Sequence, residues 1–167
     1  MKRFLSAIDT LNQWVGFIVS YVVLIVLGIT VFEVIARFVF NYPTLWAHET
    51  VAHFYGFYII IGGGYVLLHK AHIRVDVFWS RLSPRKQAII DLVACGFAFL
   101  FLGVLFWFTS KYAGYAIQIR EHSITPFAPP LYPLKITMAI GALLILLQLI
   151  AKTIRDFHLA ISGVESD

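Results

Sequence analysis

Four stretches without Asp, Glu, Lys or Arg dominate this chain: Thr10–Phe32, Thr50–Leu68, Leu92–Ser110 and Ile136–Ala151. A bilayer span needs ~20 mostly apolar residues. The first three stretches suffice as they stand, and the fourth does once Pro133, Leu134 and a snorkelling Lys135 are added. Composition points the same way. With 60% hydrophobic and 13% charged residues and a mean hydropathy of +0.82, too little polar surface exists to cover a soluble domain of this size. The expected fold is an all-α integral membrane protein with four transmembrane helices, about 14–36, 46–68, 87–112 and 131–152. These form a single domain over 1–160, followed by a short polar tail at 161–167.

The punctuation agrees with that division. All six prolines fall between spans or at the start of one, where none breaks a helix interior. In "LSPRK", Ser83 suits an N-cap and Pro84 the first helical position. Nine of the thirteen Lys and Arg residues (Lys2, Arg3, Lys70, Arg74, Arg81, Arg85, Lys86, Lys152, Arg155) fall on one side of this topology, and Arg37, Lys111, Arg120 and Lys135 on the other. The charge bias predicts that both termini are cytoplasmic. The basic start "MKRFLSAIDTLNQW" leads into an apolar run too long for a cleaved signal peptide and without an A-x-A site, so a retained signal anchor is expected. The inside charges account for the pI near 9.3, which leaves a nucleic-acid partner without support.

Two segments have the spacing of helices that lie on a membrane. In "HIRVDVFWSRL", Val75, Phe78, Trp79 and Leu82 follow the i, i+3, i+4, i+7 rule, which predicts an in-plane cytoplasmic helix between the second and third spans. Phe4, Leu5, Ile8, Leu11 and Val15 form a comparable stripe ahead of the first span and extend it into the headgroups.

Catalytic constellations are near misses. "HETVAH" resembles a zinc-protease pattern, but His48 and His53 are five apart, ~140° around a helix. Cys95 has no second thiol for redox chemistry. Of the histidines, His53 alone lies inside one of the uncharged stretches, so the paired ligands of a b-type haem are missing. The expectation is a non-enzyme with no cofactor or metal in this chain. Gly62, Gly63 and Gly64 in "IGGGYVL" permit either close helix packing or an unwound substrate site. With no second glycine cluster, a packing face of Ala52, Gly56 and Gly63 is expected.

The remaining polar groups gather at the loop "RFVFNYPTLWAHE". Glu33 and Arg37 are four apart on one helix face and can pair. Glu49 opens the second span, where an acid complements the helix dipole, and His53 stands one turn below it. Asn41–Leu45 is short enough to make the first two helices antiparallel neighbours. Two readings stay open: a self-satisfied clasp of Glu33, Arg37 and His53 between two helices, and a contact point for another protein built on Arg37, Trp46 and Glu49. A proton-coupled site would sit nearer the midplane.

Taken together, Arg37, "W-x-x-E" at Trp46–Glu49, "AHIRVDVF" at Ala71–Phe78, Ser83–Pro84, Glu121–Ser123 and "PPLYPLK" followed by "IGALLILLQ", from Pro129 to Gln148, resemble the small membrane subunit of tripartite ATP-independent periplasmic (TRAP) transporters. The resemblance covers nearly the whole chain and looks closest to the branch associated with organic-acid uptake, although Tyr132 stands where many relatives have Trp. It implies a secondary transporter of the bacterial inner membrane. In such a system a large multi-span subunit holds the solute and sodium sites, a periplasmic binding protein delivers the solute, and the small subunit braces the large one and helps dock the binding protein. Two rival classes have sequence requirements of their own. A self-contained small four-helix carrier would want its acid deeper in the first span, and an oxidoreductase anchor subunit would want histidines on two helices.

Overall fold

The computed structural model describes residues 2–69 and 84–162. Among them it forms five helices: α1 (Lys2–Ser20), α2 (Val22–Phe38), α3 (Ala47–Leu68), α4 (Pro84–Gln118) and α5 (Tyr132–Ser162). Val75, Phe78, Trp79 and Leu82, expected as an in-plane helix, lie outside the described residues. Four segments are long and apolar enough to cross a membrane: Arg3–Phe38, Ala47–Leu68, Val93–Gln118 and Tyr132–Phe157.

The first of these runs beyond 14–36 on its N-terminal side, where the stripe ahead of the span is expected to extend it. Helix begins already at Lys2, and α1 and α2 are parted only at Tyr21. There the Tyr21 N–H donates to the Ile18 carbonyl (3.3 Å) and the Leu24 N–H to the Tyr21 carbonyl (3.1 Å), tightening the spiral to i→i+3 bonds. A 36-residue rod is ~54 Å long, well beyond the ~30 Å of hydrocarbon, so part of α1 must stand outside the core or the rod must tilt. The α1 stripe also rotates from its expected position. Leu5 and Ile8 are buried and Val15 is half-buried, but Phe4 and Leu11 are exposed, and Asn12 and Val19 take their places on the packed face.

The helices stand in a row. α4 packs on α5, α5 on α3, and α3 on the α1–α2 rod, with α1 also reaching α5. α3 and α5 run parallel, as the rising register of Gly56 with Leu134, Gly63 with Ile145 and Ile60 with Gly141 shows. The α1–α2 rod runs antiparallel to α3, since Phe32 meets Trp46, Val19 meets Ile61 and Gln13 meets His69. The core is correspondingly thin and split. Leu5 and Ile8 pack with Ala151, Val19 with Ile61 and Leu144, and Cys95 with Leu102 and Leu149. Long apolar faces of α2 and α4, including Leu24, Leu27, Val31, Leu100, Phe101 and Val104, remain exposed.

Small residues allow the close crossings, as lipid-exposed helices require. A methyl group on Gly141 would lie 2.7 Å from the Ile60 carbonyl oxygen, and one on Gly63 would lie 2.7 Å from Ile145 Cδ1. One on Gly56 would meet Leu134 at 3.3 Å. Gly56 and Gly63 therefore face α5 of the same chain, whereas Ala52 is exposed. The glycine triplet points three ways: Gly62 into open space, Gly63 at α5 and Gly64 at Asn12 of α1.

Candidate functional site

Polar side chains concentrate at the two ends of the row. At the loop end, α2 closes through residue 41. Asn41 adopts φ 50°, a left-handed conformation that Asn tolerates better than most residues. This lets the Tyr42 N–H reach back to the Ala36 carbonyl (2.9 Å) and the Phe40 N–H to Ile35 (3.4 Å), satisfying orphan helix carbonyls. The same turn carries Thr44 under the Glu33 carboxylate. Glu33 Oε1 accepts from Arg37 Nη2 (2.6 Å) and Nε (3.1 Å), and Oε2 accepts from the Thr44 N–H (3.3 Å) and the Thr44 hydroxyl. A single carboxylate thus ties α2 to the loop that leads into α3. The Glu33 side chain is 13% exposed and that of Arg37 50%, so the acid is spent on the fold while the guanidinium still faces outward. Trp46 stacks on Phe32 with ring centres 5.9 Å apart, which pins the start of α3 to α2.

Between these helix ends lies an open groove of about 270 Å³, lined by Glu33, Arg37, Phe38, Ala47, His48 and Val51 among others. Glu49 and His53 do not enter the Glu33–Arg37 pair. His53 Nδ1 donates to the Glu49 main-chain carbonyl (2.7 Å), which leaves Nε2 buried without a partner, as is Glu49 Oε2. The hydrogen bond between these two residues therefore runs through the backbone of α3 rather than through the carboxylate.

The second loop at this end is also ordered. Arg120, at φ 48°, takes the left-handed position after α4. The Glu121 N–H then bonds to the Ala116 carbonyl (3.0 Å) and the Arg120 N–H to Ile117 (3.2 Å), a Schellman closure. This explains why α4 extends to Gln118, beyond the expected 112. Glu121 Oε2 accepts from Lys135 Nζ (2.5 Å), which joins this loop to the start of α5.

The terminal end holds a network that sequence reasoning missed. Arg155 Nη2 donates to Asp9 Oδ2, Gln148 Nε2 to Asp9 Oδ1 (3.0 Å), and Asn12 Nδ2 to Gln148 Oε1 (2.9 Å). Asn12 and Gln148 are each 1% exposed. Gly64 provides the space that Asn12 occupies, since a methyl group there would lie 2.9 Å from Asn12 Cγ and nearer still to Oδ1. Beside this network, Lys152 pairs with Asp156 (2.6 Å) and His69 Nε2 donates to Gln13 Oε1 (2.9 Å). One signal could have revealed it: Asn12 sits at i+4 from Ile8 and i+7 from Leu5, on the stripe that packs. Among the described residues no group of three or more His, Cys, Asp or Glu is placed to hold a metal ion.

Four membrane-length apolar helical segments, with ion pairs at the two ends of the row, define a multi-pass helical membrane protein. Residues 26–159 match the profile of the family described as tripartite ATP-independent periplasmic transporters, DctQ component. The chain belongs to that family and is a small membrane component of a TRAP transporter. No match was found among curated proteins.

Proposed function

We propose that this chain braces the large permease subunit and that its loop end, through Arg37, Trp46 and Glu49, forms a contact surface for the large subunit or the binding protein. The observation that carries this reading is the half-exposed Arg37 guanidinium, held by Glu33 beside the 270 Å³ groove at the junction of α2 and α3. A partner carboxylate reaching that groove would complete the hydrogen-bonding capacity of Arg37. The bare apolar faces of α2 and α4 are the surfaces available for bracing inside the bilayer. On this reading the terminal end faces the cytoplasm of a bacterial inner membrane, in keeping with the nine-to-four charge bias. Solute binding and sodium coupling belong to the large subunit.

Co-purification tests the contact. Arg37→Ala and Glu49→Ala should lower recovery of the tagged complex in detergent while leaving the solute affinity of the isolated binding protein unchanged. Recovery equal to that of the parent in both variants would reduce these residues to solvated helix ends. Orientation has its own check. In a Cys95→Ala background, Tyr42→Cys, exposed beyond α2, should react with an impermeant thiol reagent in cells whose outer membrane has been made permeable. Protection until the inner membrane is opened would invert the topology.

A further inference from the structure

The family match begins at 26, beyond Ser20, the last residue of α1. We propose that α1 is a strap jointed at Tyr21, and that Asp9, Asn12, Gln148 and Arg155 are the latch that seats it in one register on α5.

The polar geometry carries this. Both oxygens of the Asp9 carboxylate are engaged by α5, one by Arg155 and one by Gln148. The Asn12 amide bridges its own helix and α5, donating to the Ile8 carbonyl (3.2 Å) and to Gln148 Oε1 (2.9 Å). These contacts are directional and nearly free of water at Asn12 and Gln148, so displacing α1 by one turn, ~5.4 Å, would break the bonds from Asn12 and Asp9 to Gln148 and Arg155. The apolar contacts with α5 have no such selectivity. Leu5 and Ile8 rest on Ala151, while Leu147 and Ile154, one turn to either side, flank that seat. Hydrophobic burial is non-directional, so it holds α1 against α5 without choosing a register. Buried polar residues choose registers in this way at helix interfaces.

Two further features fit a strap. The i→i+3 bonds around Tyr21 form a joint with neither Pro nor Gly. The ion pair is partly open, with Arg155 34% and Asp9 28% exposed, so water reaches the outer edge of the latch while its inner half stays dry.

Cysteine cross-linking in native membrane vesicles tests this with the full chain carrying Cys95→Ala. Leu5→Cys with Ala151→Cys reports α1 on α5, and Gly56→Cys with Leu134→Cys reports α3 on α5. Introducing Asp9→Asn, or separately Gln148→Leu, should lower the first yield by about tenfold, as loss of a charge-assisted or buried hydrogen bond implies. The second yield should stay at the parent level. Seating by apolar burial alone would show as an unchanged Leu5–Ala151 yield in either variant and would overturn the latch. A parallel fall of both yields would show that α1 does not seat independently of the bundle, and would overturn the strap.

Discussion

The two ends of the helix row solve the same problem with opposite means. At the loop end, Glu33 gathers partners that are four and eleven residues away in sequence, Arg37 and Thr44. At the terminal end, Asn12 and Asp9 find theirs 136 and 146 residues away, in Gln148 and Arg155. The loop-end pair leaves its cation half-exposed. The terminal network buries its amides almost completely. Local, water-exposed pairs contribute little to stability, whereas a buried hydrogen-bonded amide that loses its partner bears the cost of its own desolvation. The comparison therefore places the larger stake in stability at the terminal end, and the proposed partner contact at the loop end asks little of stability.

The largest effect that would sharpen this contrast is expected at Gly64. Gly64→Ala places a methyl group against Asn12, so overpacking costs ~1–3 kcal/mol, with the expelled amide adding to it. The thermal midpoint in detergent should fall clearly below that of the parent. Gln148→Leu comes next: it removes the bond of Asn12 to α5 and one partner of Asp9, at ~1–3 kcal/mol. A midpoint equal to that of the parent would mean that the network adds nothing to stability. Arg37→Ala ranks lower on this scale, with a midpoint close to the parent even though assembly suffers. A large loss of stability there would collapse the distinction between the ends. The smallest effect belongs to Gly62→Ala. Nothing lies within 4 Å of the added methyl, so the change should be neutral or stabilise by ~0.4–1 kcal/mol through the unfolded chain. Within one triplet, Gly62 and Gly64 should thus differ in sign.

Legibility followed the same divide. The four spans could be read because each is a long uncharged run, and the Glu33–Arg37 pair because i,i+4 neighbours meet on any helix. Thr44 was missed because its position under Glu33 depends on the left-handed Asn41 turn. The Asn12–Gln148 contact was missed because both residues sit in runs whose lack of charge was the very signal for a span. The end of α4 moved outward for a related reason. Apolar runs mark where lipid is crossed, while Gln118 marks where the helical backbone hydrogen bonding stops. Glycine directions were only partly readable: spacing placed Gly56 and Gly63 on one face, but which neighbour that face meets depends on how α5 crosses α3.

The division of labour between the ends is tested most directly by solute uptake into proteoliposomes that contain the large subunit, the binding protein and either the parent chain or one with Arg37→Ala, Trp46→Ala and Glu49→Ala together. The account predicts that the triple variant keeps the helical content and monodispersity of the parent in detergent but supports markedly slower uptake at every binding-protein concentration. Uptake and complex yield equal to the parent's would contradict it, and would show that the loop end of this chain is not where the transporter is joined.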